Sequence, residues 1–449
     1  MPVSARPRPR LGWAVATALA VIHLPVSAET LKESVLIALG QHPQVVGARR
    51  QAETIRHEVA GAQSQMNMRF GVIAEPGWGY QRGNGNNRHG DLGAQAIKPI
   101  YDGGRTDNET ARQLARLTGA NYSTEAARAD IAMKVADAYI EVVKQAELTA
   151  LTRNYVAEID KLRRRVQQIV AHDQGRGYDL LQTNSRLSQA QVTLSDREGQ
   201  LAEARASLTQ LLGQPLKGMV PPPPADTQLA SLSQAMAALG EHPAILAGRA
   251  EVQAAQKAAE VANAWNKPSF NLRARVNSPY DADGKRQWFG GYDVSVVTDW
   301  NPFDGGQGAA HAAAARAQVL STEEAVANTR RTLETDVARH WTQIQARQGR
   351  VGTRSALVEN TRKVRAAYWE QFQIGKRSII DLLNAENEIY QAQLGATVEA
   401  QELNQARYRL LGSTGRLLPR LGIEALPPVV AEGVQPETRP AAPALPALN

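Results

Sequence analysis

The chain is one structural unit written twice. Ala38-Leu39-Gly40-Gln41-His42-Pro43 recurs 200 residues later as Ala238-Leu239-Gly240-Glu241-His242-Pro243. Tyr101-Asp102-Gly103-Gly104 recurs as Phe303-Asp304-Gly305-Gly306, and Asp179-Leu180-Leu181-Gln182 as Asp381-Leu382-Leu383-Asn384, both shifted by 202. Leu211-Leu212-Gly213 returns as Leu410-Leu411-Gly412. Order and spacing hold over four landmarks, so each half must build the same elements in the same sequence. The prolines from Pro221 to Pro224 cannot continue a helix and read as a stiff linker. The expected organisation is a first repeat over 29–220, a linker over 221–228, a second repeat over 229–422 and a disordered Pro/Ala-rich tail over 423–449.

Each repeat predicts a short helix, a medium helix, two strands, a very long helix and a return helix. Thr30 is placed to cap the first helix, and His42-Pro43 breaks it. After Asp102-Gly103-Gly104 almost no breaker occurs until Gly175. The apolar seam there steps by threes and fours through Leu148, Leu151, Tyr155, Ile159, Leu162, Val166 and Ile169. About 70 residues at about 1.5 Å each give roughly 100 Å of helix. The second half repeats this with Leu333, Val337, Trp341, Ile344 and Val351. Helical hairpins are therefore expected at about 103–213 and 304–412. A single hairpin of that length would be a rod with an exposed apolar seam. Two per chain, repeated around an axis, close into a tube.

The strands distinguish the two. Hairpins are expected at about 68–101 and 269–300, each strand about ten residues. Phe270, Leu272, Ala274 and Val276 alternate with Asn271, Arg273, Arg275 and Asn277; Tyr292, Val294, Val296 and Thr298 alternate with Asp293, Ser295 and Asp299. Phe70, Val72, Ala74 and Trp78 do the same in the first half, followed by a Gly/Asn loop (83–90) and then Leu92, Ala94 and Ala96. Apolar outside and polar inside suits a barrel strand crossing a bilayer at a tilt. Trp78, Tyr80, Trp288 and Trp300 fall near strand ends, where interfacial aromatics belong. Taken alone, each hairpin reads as a soluble sheet packed on a core. Its equivalent place in both repeats, together with the export signal below, reverses that reading. Four strands cannot close a barrel, so the chain must oligomerise; three copies give twelve strands.

Arg6, Arg8 and Arg10 precede an apolar run from Leu11 to Leu24, and Val26-Ser27-Ala28 follows. This is a three-part export signal over 1–28, cut before Glu29. Without those arginines the net charge of +7 falls to about +4, weak support for nucleic-acid binding. The absence of cysteine excludes a disulfide scaffold, a thiolate nucleophile and acylation on cysteine. No His-Glu-x-x-His, Gly-x-Ser-x-Gly or phosphate-binding glycine loop occurs, and His42 and His242 are repeat equivalents rather than a metal pair. Neither enzyme chemistry nor a cofactor is expected.

Together these residues resemble the TolC family of outer-membrane channel proteins, over about Thr30 to Ile423. The resemblance rests on the His-Pro helix breaks, the two Asp-Gly-Gly turns and the helix tips. Gly375-Lys376-Arg377-Ser378-Ile379-Ile380-Asp381-Leu382-Leu383 matches the family's second tip, and Gly175-Arg176-Gly177-Tyr178-Asp179-Leu180-Leu181 is similar to its first. Two departures stand out: His where Asn before Pro is commoner, and Asn384 where relatives carry a second acidic residue. The resemblance implies a mainly α, internally duplicated homotrimer. Its transmembrane part is a 12-stranded β-barrel in the outer membrane of a Gram-negative cell, continued by a periplasmic α-helical barrel of long coiled-coil hairpins. It implies as partners a periplasmic adaptor and an inner-membrane ABC transporter or proton-driven pump. Tyr408-Arg409-Leu410-Leu411-Gly412-Ser413-Thr414-Gly415-Arg416-Leu417-Leu418 looks more like members serving type I protein secretion than drug-efflux outlets.

The same resemblance assigns residues. Asp381, with Asn384, would narrow the entrance; the plainer account of Asp381 is a helix N-terminal acid offsetting the dipole. Arg377 would latch one hairpin to its neighbour, or be an exposed tip arginine. Arg176, Gly177, Leu180, Leu181, Gly375, Lys376, Leu382 and Leu383 are candidates for adaptor docking, or merely solvated. Arg273 and Arg275 face the barrel lumen. The run Lys161 to Arg165 is a solvated helix face. A periplasmic coiled-coil adaptor, an exported enzyme on a helical scaffold and a non-conducting tether are the competing readings.

Overall fold

The computed structural model describes residues 29–81, 85–172, 177–216, 218–281 and 291–432. The export signal, Trp288 and Arg176 lie outside the described residues.

The duplication is carried through element by element. Helices α1 (Leu31–Gln41) and α2 (Pro43–Gln63) lead to strands β1 (Arg69–Gln81) and β2 (Gly85–Tyr101), then to helices α3 (Arg105–His172) and α4 (Gly177–Leu212). The second set is α5 (Leu232–Ala238), α6 (Pro243–Asn263), β3 (Ser269–Asp281), β4 (Gly291–Asp299), α7 (Gln307–Gln373) and α8 (Ile379–Ser413), closed by the single turn α9 (Leu417–Arg420).

Three of the four landmarks that revealed the repeat fall at helix starts, and the Leu-Leu-Gly landmark at helix ends. Thr30 and Glu33 form a reciprocal capping box on α1. His42 and His242 use Nδ1 to accept from Gln44 N and Ala244 N, with proline at the first helical position. An imidazole thus does here what an asparagine amide would do. Asp102 accepts from the backbone N–H groups of Gly104, Arg105 and Thr106 at 2.7–3.1 Å, and Asp304 from Gly306 and Gly308. Gly104 and Gly306 turn the chain with φ of 78° and 95°, values that only glycine adopts cheaply. Partial burial works against ionisation of Asp102, but the bonds from Thr106, Gly104 and Arg105 hold its carboxyl below the usual aspartate value.

The four strands form one antiparallel sheet in the order β1-β2-β3-β4, so the two repeats join through β2 and β3. The strands span 13, 17, 13 and 9 residues. Most exceed the expected ten, because pairing continues through Gln81↔Gly85 and the Gly/Asn stretch from Gly85 to Gly90 is strand rather than loop. Thirteen residues at about 3.3 Å, tilted by about 45°, span about 30 Å, the thickness of a bilayer core.

α3 lies at the middle of the helical part, packed on α2, α4, α6 and α8, while α7 pairs with α8 and α6. The buried clusters follow one another along the hairpins. One lies around Val135, Tyr139, Leu208 and Leu411, and a distal one around Ile159, Leu382, Leu383 and Tyr390. The linker is seated against this core: Tyr139 Oη donates within 2.8 Å of both Glu29 O and Val220 O, and Asn404 Oδ1 accepts from Ala225 N. The tail departs from the expected disorder over its first ten residues, 423–432. Ile423 is buried in the cluster around Val135 and Leu411, and Ala431 in an apolar groove between α2 and α3.

Candidate channel wall and periplasmic entrance

Strand register sorts the sheet into two faces. Val72, Ala94, Val276 and Tyr292 lie in one row across all four strands, and Phe70, Ala96, Ala274 and Val294 in the next. This face is bare in the protomer: Phe70, Val72 and Tyr292 are 80%, 81% and 85% exposed. The opposite face carries the rows Arg69–Ile97–Arg273–Ser295 and Gly71–Gln95–Arg275–Asp293. An apolar surface of this extent, broken by Lys98 and Thr298 only toward the helical end of the sheet among the described residues, with the arginines on the other face, is the pattern of a barrel wall between lipid and water. The soluble-sheet reading fails because no element covers the apolar face among the described residues. Trp300, directly after β4, is exposed and donates from Nε1 to Asn266 O at 3.1 Å. Trp78 and Tyr80 fall in β1.

At the far end of the hairpins, the α7–α8 turn is built on Gly375, whose φ of 73° lets Lys376 N reach back to Gln371 O at 2.9 Å. Ser378 and Asp381 then form a reciprocal capping box on α8. Hydrogen bonds from the Ser378 side chain and backbone, with Arg377 nearby, hold the Asp381 carboxyl below its usual value. Asn384 is exposed one turn further on. The cap that Asp381 provides is therefore present in the single chain, and its carboxylate stays partly exposed.

Arg377 makes its contacts among the described residues within its own hairpin. Its Nε donates to Gln371 Oε1 at 3.0 Å, its guanidinium lies 4.3 Å over the Tyr368 ring, and one nitrogen approaches Asp381 at 3.8 Å. Leu382 and Leu383 are misplaced by the sequence reading. Both are buried on the stripe that faces α3, with Ile379 and Tyr390, so neither is a docking surface. Leu180 is half-buried against the same cluster, whereas Leu181, Gly375 and Lys376 are exposed and Gly177 is partly so. Lys161, Arg163 and Arg164 pair with Glu158 and Asp160 one turn away, as a solvated helix face does.

The tie between the two hairpins lies above the tip, on residues the motif search did not select. Arg365 on α7 bonds Glu386 on α8 and also reaches Glu158 on α3 at 3.2 Å. Burial raises the Glu386 carboxyl above its ordinary value, and the Arg365 guanidinium opposes that shift. Tyr155 and Tyr390 stack with ring centroids 4.3 Å apart, and Tyr390 Oη shares a hydrogen bond with Thr152 Oγ1 at 3.0 Å. The signal was present: Glu386 occupies an apolar seam position after Ile379, Leu382 and Leu383. A charge in that register requires a partner.

A family model described as outer membrane efflux protein matches residues 36–214 and 235–416, one match per repeat. The chain belongs to the outer membrane efflux protein family. Its strands are thus outer-membrane strands, and its long helices extend into the periplasm. Family and fold are those of export channels, not enzymes. The chain is 23% identical over 339 residues to the outer membrane efflux protein BepC of Brucella suis, a match covering 75% of this chain and 74% of that one. In fold it is similar to the outer membrane protein VceC of Vibrio cholerae, at 17% identity and a TM-score of 0.73 over 86% of this chain and 96% of the other. It is also similar to the open state of the MtrE outer membrane channel of Neisseria gonorrhoeae, at 17% identity and a TM-score of 0.70 over 86% and 89%.

Proposed function

We propose that this efflux-family channel is the exit duct of a tripartite export system and serves type I secretion of proteins, together with a periplasmic adaptor and an inner-membrane ABC transporter. The observation that carries the duct is the sheet: four strands with two open edges, one bare apolar face and one polar face, seated at one end of two long hairpins. Three copies close twelve strands around a lumen that Arg273 and Arg275 face, and their hairpins continue it as a helical barrel. The Tyr408–Leu418 segment, similar to that of secretion members, favours protein cargo. The efflux name of the matching relative favours a second reading, the outlet of a drug pump. A clean deletion strain separates the two. Loss of a few large proteins from the culture supernatant with drug tolerance unchanged supports secretion; unchanged supernatant with broad drug sensitivity supports the pump.

At the entrance, three Asp381 carboxylates beside Asn384 form the narrowest, negative ring, and the exposed Leu181, Gly375 and Lys376, with the partly exposed Gly177 and with Arg176, meet the adaptor. Asp381→Asn is expected to lower cation selectivity and weaken block by divalent cations in planar bilayers. An unchanged reversal potential would leave Asp381 a helix cap alone.

A further inference from the structure

The segment that follows α9 is held by a dedicated set of side chains. From Ile423, buried in the central cluster, it runs without helix or strand along α3 to Val429 and Ala431 in the groove between α2 and α3. One stripe of α3 binds its backbone. Arg128 Nη2 donates to Glu424 O at 2.9 Å, and Glu125 Oε1 accepts from Leu426 N at 3.0 Å. The Asn121 carboxamide accepts from Val429 N at 2.9 Å and donates to Val429 O at 3.0 Å, as a neighbouring strand would. Arg128 is 4% exposed and is fixed by both oxygens of Glu125 at 2.8 Å. Val429 and Ala431 meet an apolar floor of Ala52, Ile55, Val59, Leu117 and Ala120.

We propose that the α2–α3 groove is a binding site for an extended peptide, that its ligand is this chain's own Ile423–Ala431 segment, and that seating the segment locks the finished fold. Backbone recognition by Asn121, Glu125 and Arg128 requires an extended ligand, and the floor requires small or branched apolar side chains at the positions of Val429 and Ala431. The contact joins residues 308 apart in sequence, so it closes only after both repeats have been made and folded. Among the described residues, α2 otherwise packs chiefly along α3, with smaller contacts to α1 and the turn that follows it. The strap therefore closes the edge of the seam between α2 and α3. It holds whatever the duct carries.

The test compares a chain ending at Gly422 with one ending at Glu432. The shorter chain is expected to give trimers that dissociate in detergent at a lower temperature and are cut by protease within α2; the longer one behaves as the full chain. A labelled synthetic peptide of residues 422–432 should bind the shorter chain and restore protection, and the same peptide with Val429→Asp should bind at least about tenfold more weakly. No peptide binding to the folded shorter chain, or equal protease resistance of both chains, overturns the proposal. If the shorter chain does not assemble, full-length Val429→Asp is measured by hydrogen exchange. About tenfold faster exchange of α2 amides supports the lock, and unchanged exchange overturns it.

Discussion

α3 and α7 descend from the same unit and differ in length by one residue, yet their surroundings differ. α3 buries residues along its whole length, from Thr106 to Val166, because α2, α4, α6 and α8 surround it. On α7 the buried positions are few: Gly308 and Ala312 near the sheet, Val337, His340 and Ile344 in the middle, and Phe372 at the tip. Leu320, Leu357 and Val364 are 64%, 42% and 41% exposed. α4 shows the same at Leu181 and Val192. α3 and α8 are thus the interior of the protomer, and α4 and α7 are its two flanks. A duplicated sequence with this asymmetry fits a ring in which the α7 flank of one copy meets the α4 flank of the next.

Placing a charge on each helix breaks the comparison in two distinct ways, and this is the largest expected effect. Ile159→Asp puts an unpaired carboxylate into the fully buried α3 seam. A loss of about 4 kcal/mol or more is expected, with no folded protein recovered. Val364→Asp on α7 is expected to leave the helical circular dichroism of the monomer intact while abolishing the heat-resistant trimer. Trimers of normal stability from Val364→Asp would mean that α7 faces water and that the flank assignment is wrong.

The second prediction concerns how α7 is held where it meets the rest of the chain. A Cβ at Gly308 would come within 2.3 Å of the Trp265 ring on the segment after α6. An indole cannot step aside as a flexible chain end can. Gly308→Val should cost about 1–3 kcal/mol and lower the trimer dissociation temperature. By contrast, Gly349→Ala, on α7 with open space around its Cβ position, should be neutral or slightly stabilising.

Much of this asymmetry could not be read from the repeat. The four ordered landmarks specified the elements and, through period-two alternation at Leu272–Val276 and Val294–Val296, the two faces of the sheet. The α3 seam was legible at Leu148, Tyr155, Ile159, Leu162 and Val166, all buried. The equivalent seam on α7 was also legible as a seam, yet Leu333, Trp341 and Val351 are only partly covered. Periodicity marks which side of a helix is apolar but not whether the covering element belongs to the same chain. Motif matching failed in another way at Leu382-Leu383, which are buried. A motif aligned on residue type does not specify which side of a single turn faces the core. Tail residues 423–432 looked disordered by composition because Pro and Ala carry no periodicity. What holds them is a set of polar side chains on α3, some 300 residues earlier.

The smallest expected effect separates the buried tie of the inner pair from the exposed flank. Glu386 sits between α7, α8 and α3, facing Arg365, Glu158 and Lys161. Burial lifts its folded carboxyl above the value near 4.5 that it has in the unfolded chain. The folded state therefore holds its proton more tightly than the unfolded state does. The stabilisation this represents is complete below about pH 4.5 and fades as pH rises through the folded value. Between neutral pH and that point, acidification should raise the stability of the native protein relative to Glu386→Gln, which cannot titrate, by relieving the cost of a buried charge. Asp137, also raised chiefly by its burial beside Arg409, is present in both proteins and cancels from the difference. The measurement is the pH dependence of thermal unfolding of the two trimers side by side. Parallel curves would mean that Arg365 compensates Glu386 fully, and that the inner pair is held by the Tyr155–Tyr390 stack and its apolar surroundings alone. Curves that separate on raising the pH, the native protein losing stability relative to the variant, would place the titrating group at the junction of α3, α7 and α8, where the exposed Glu359 pairs on the α7 flank should contribute almost nothing.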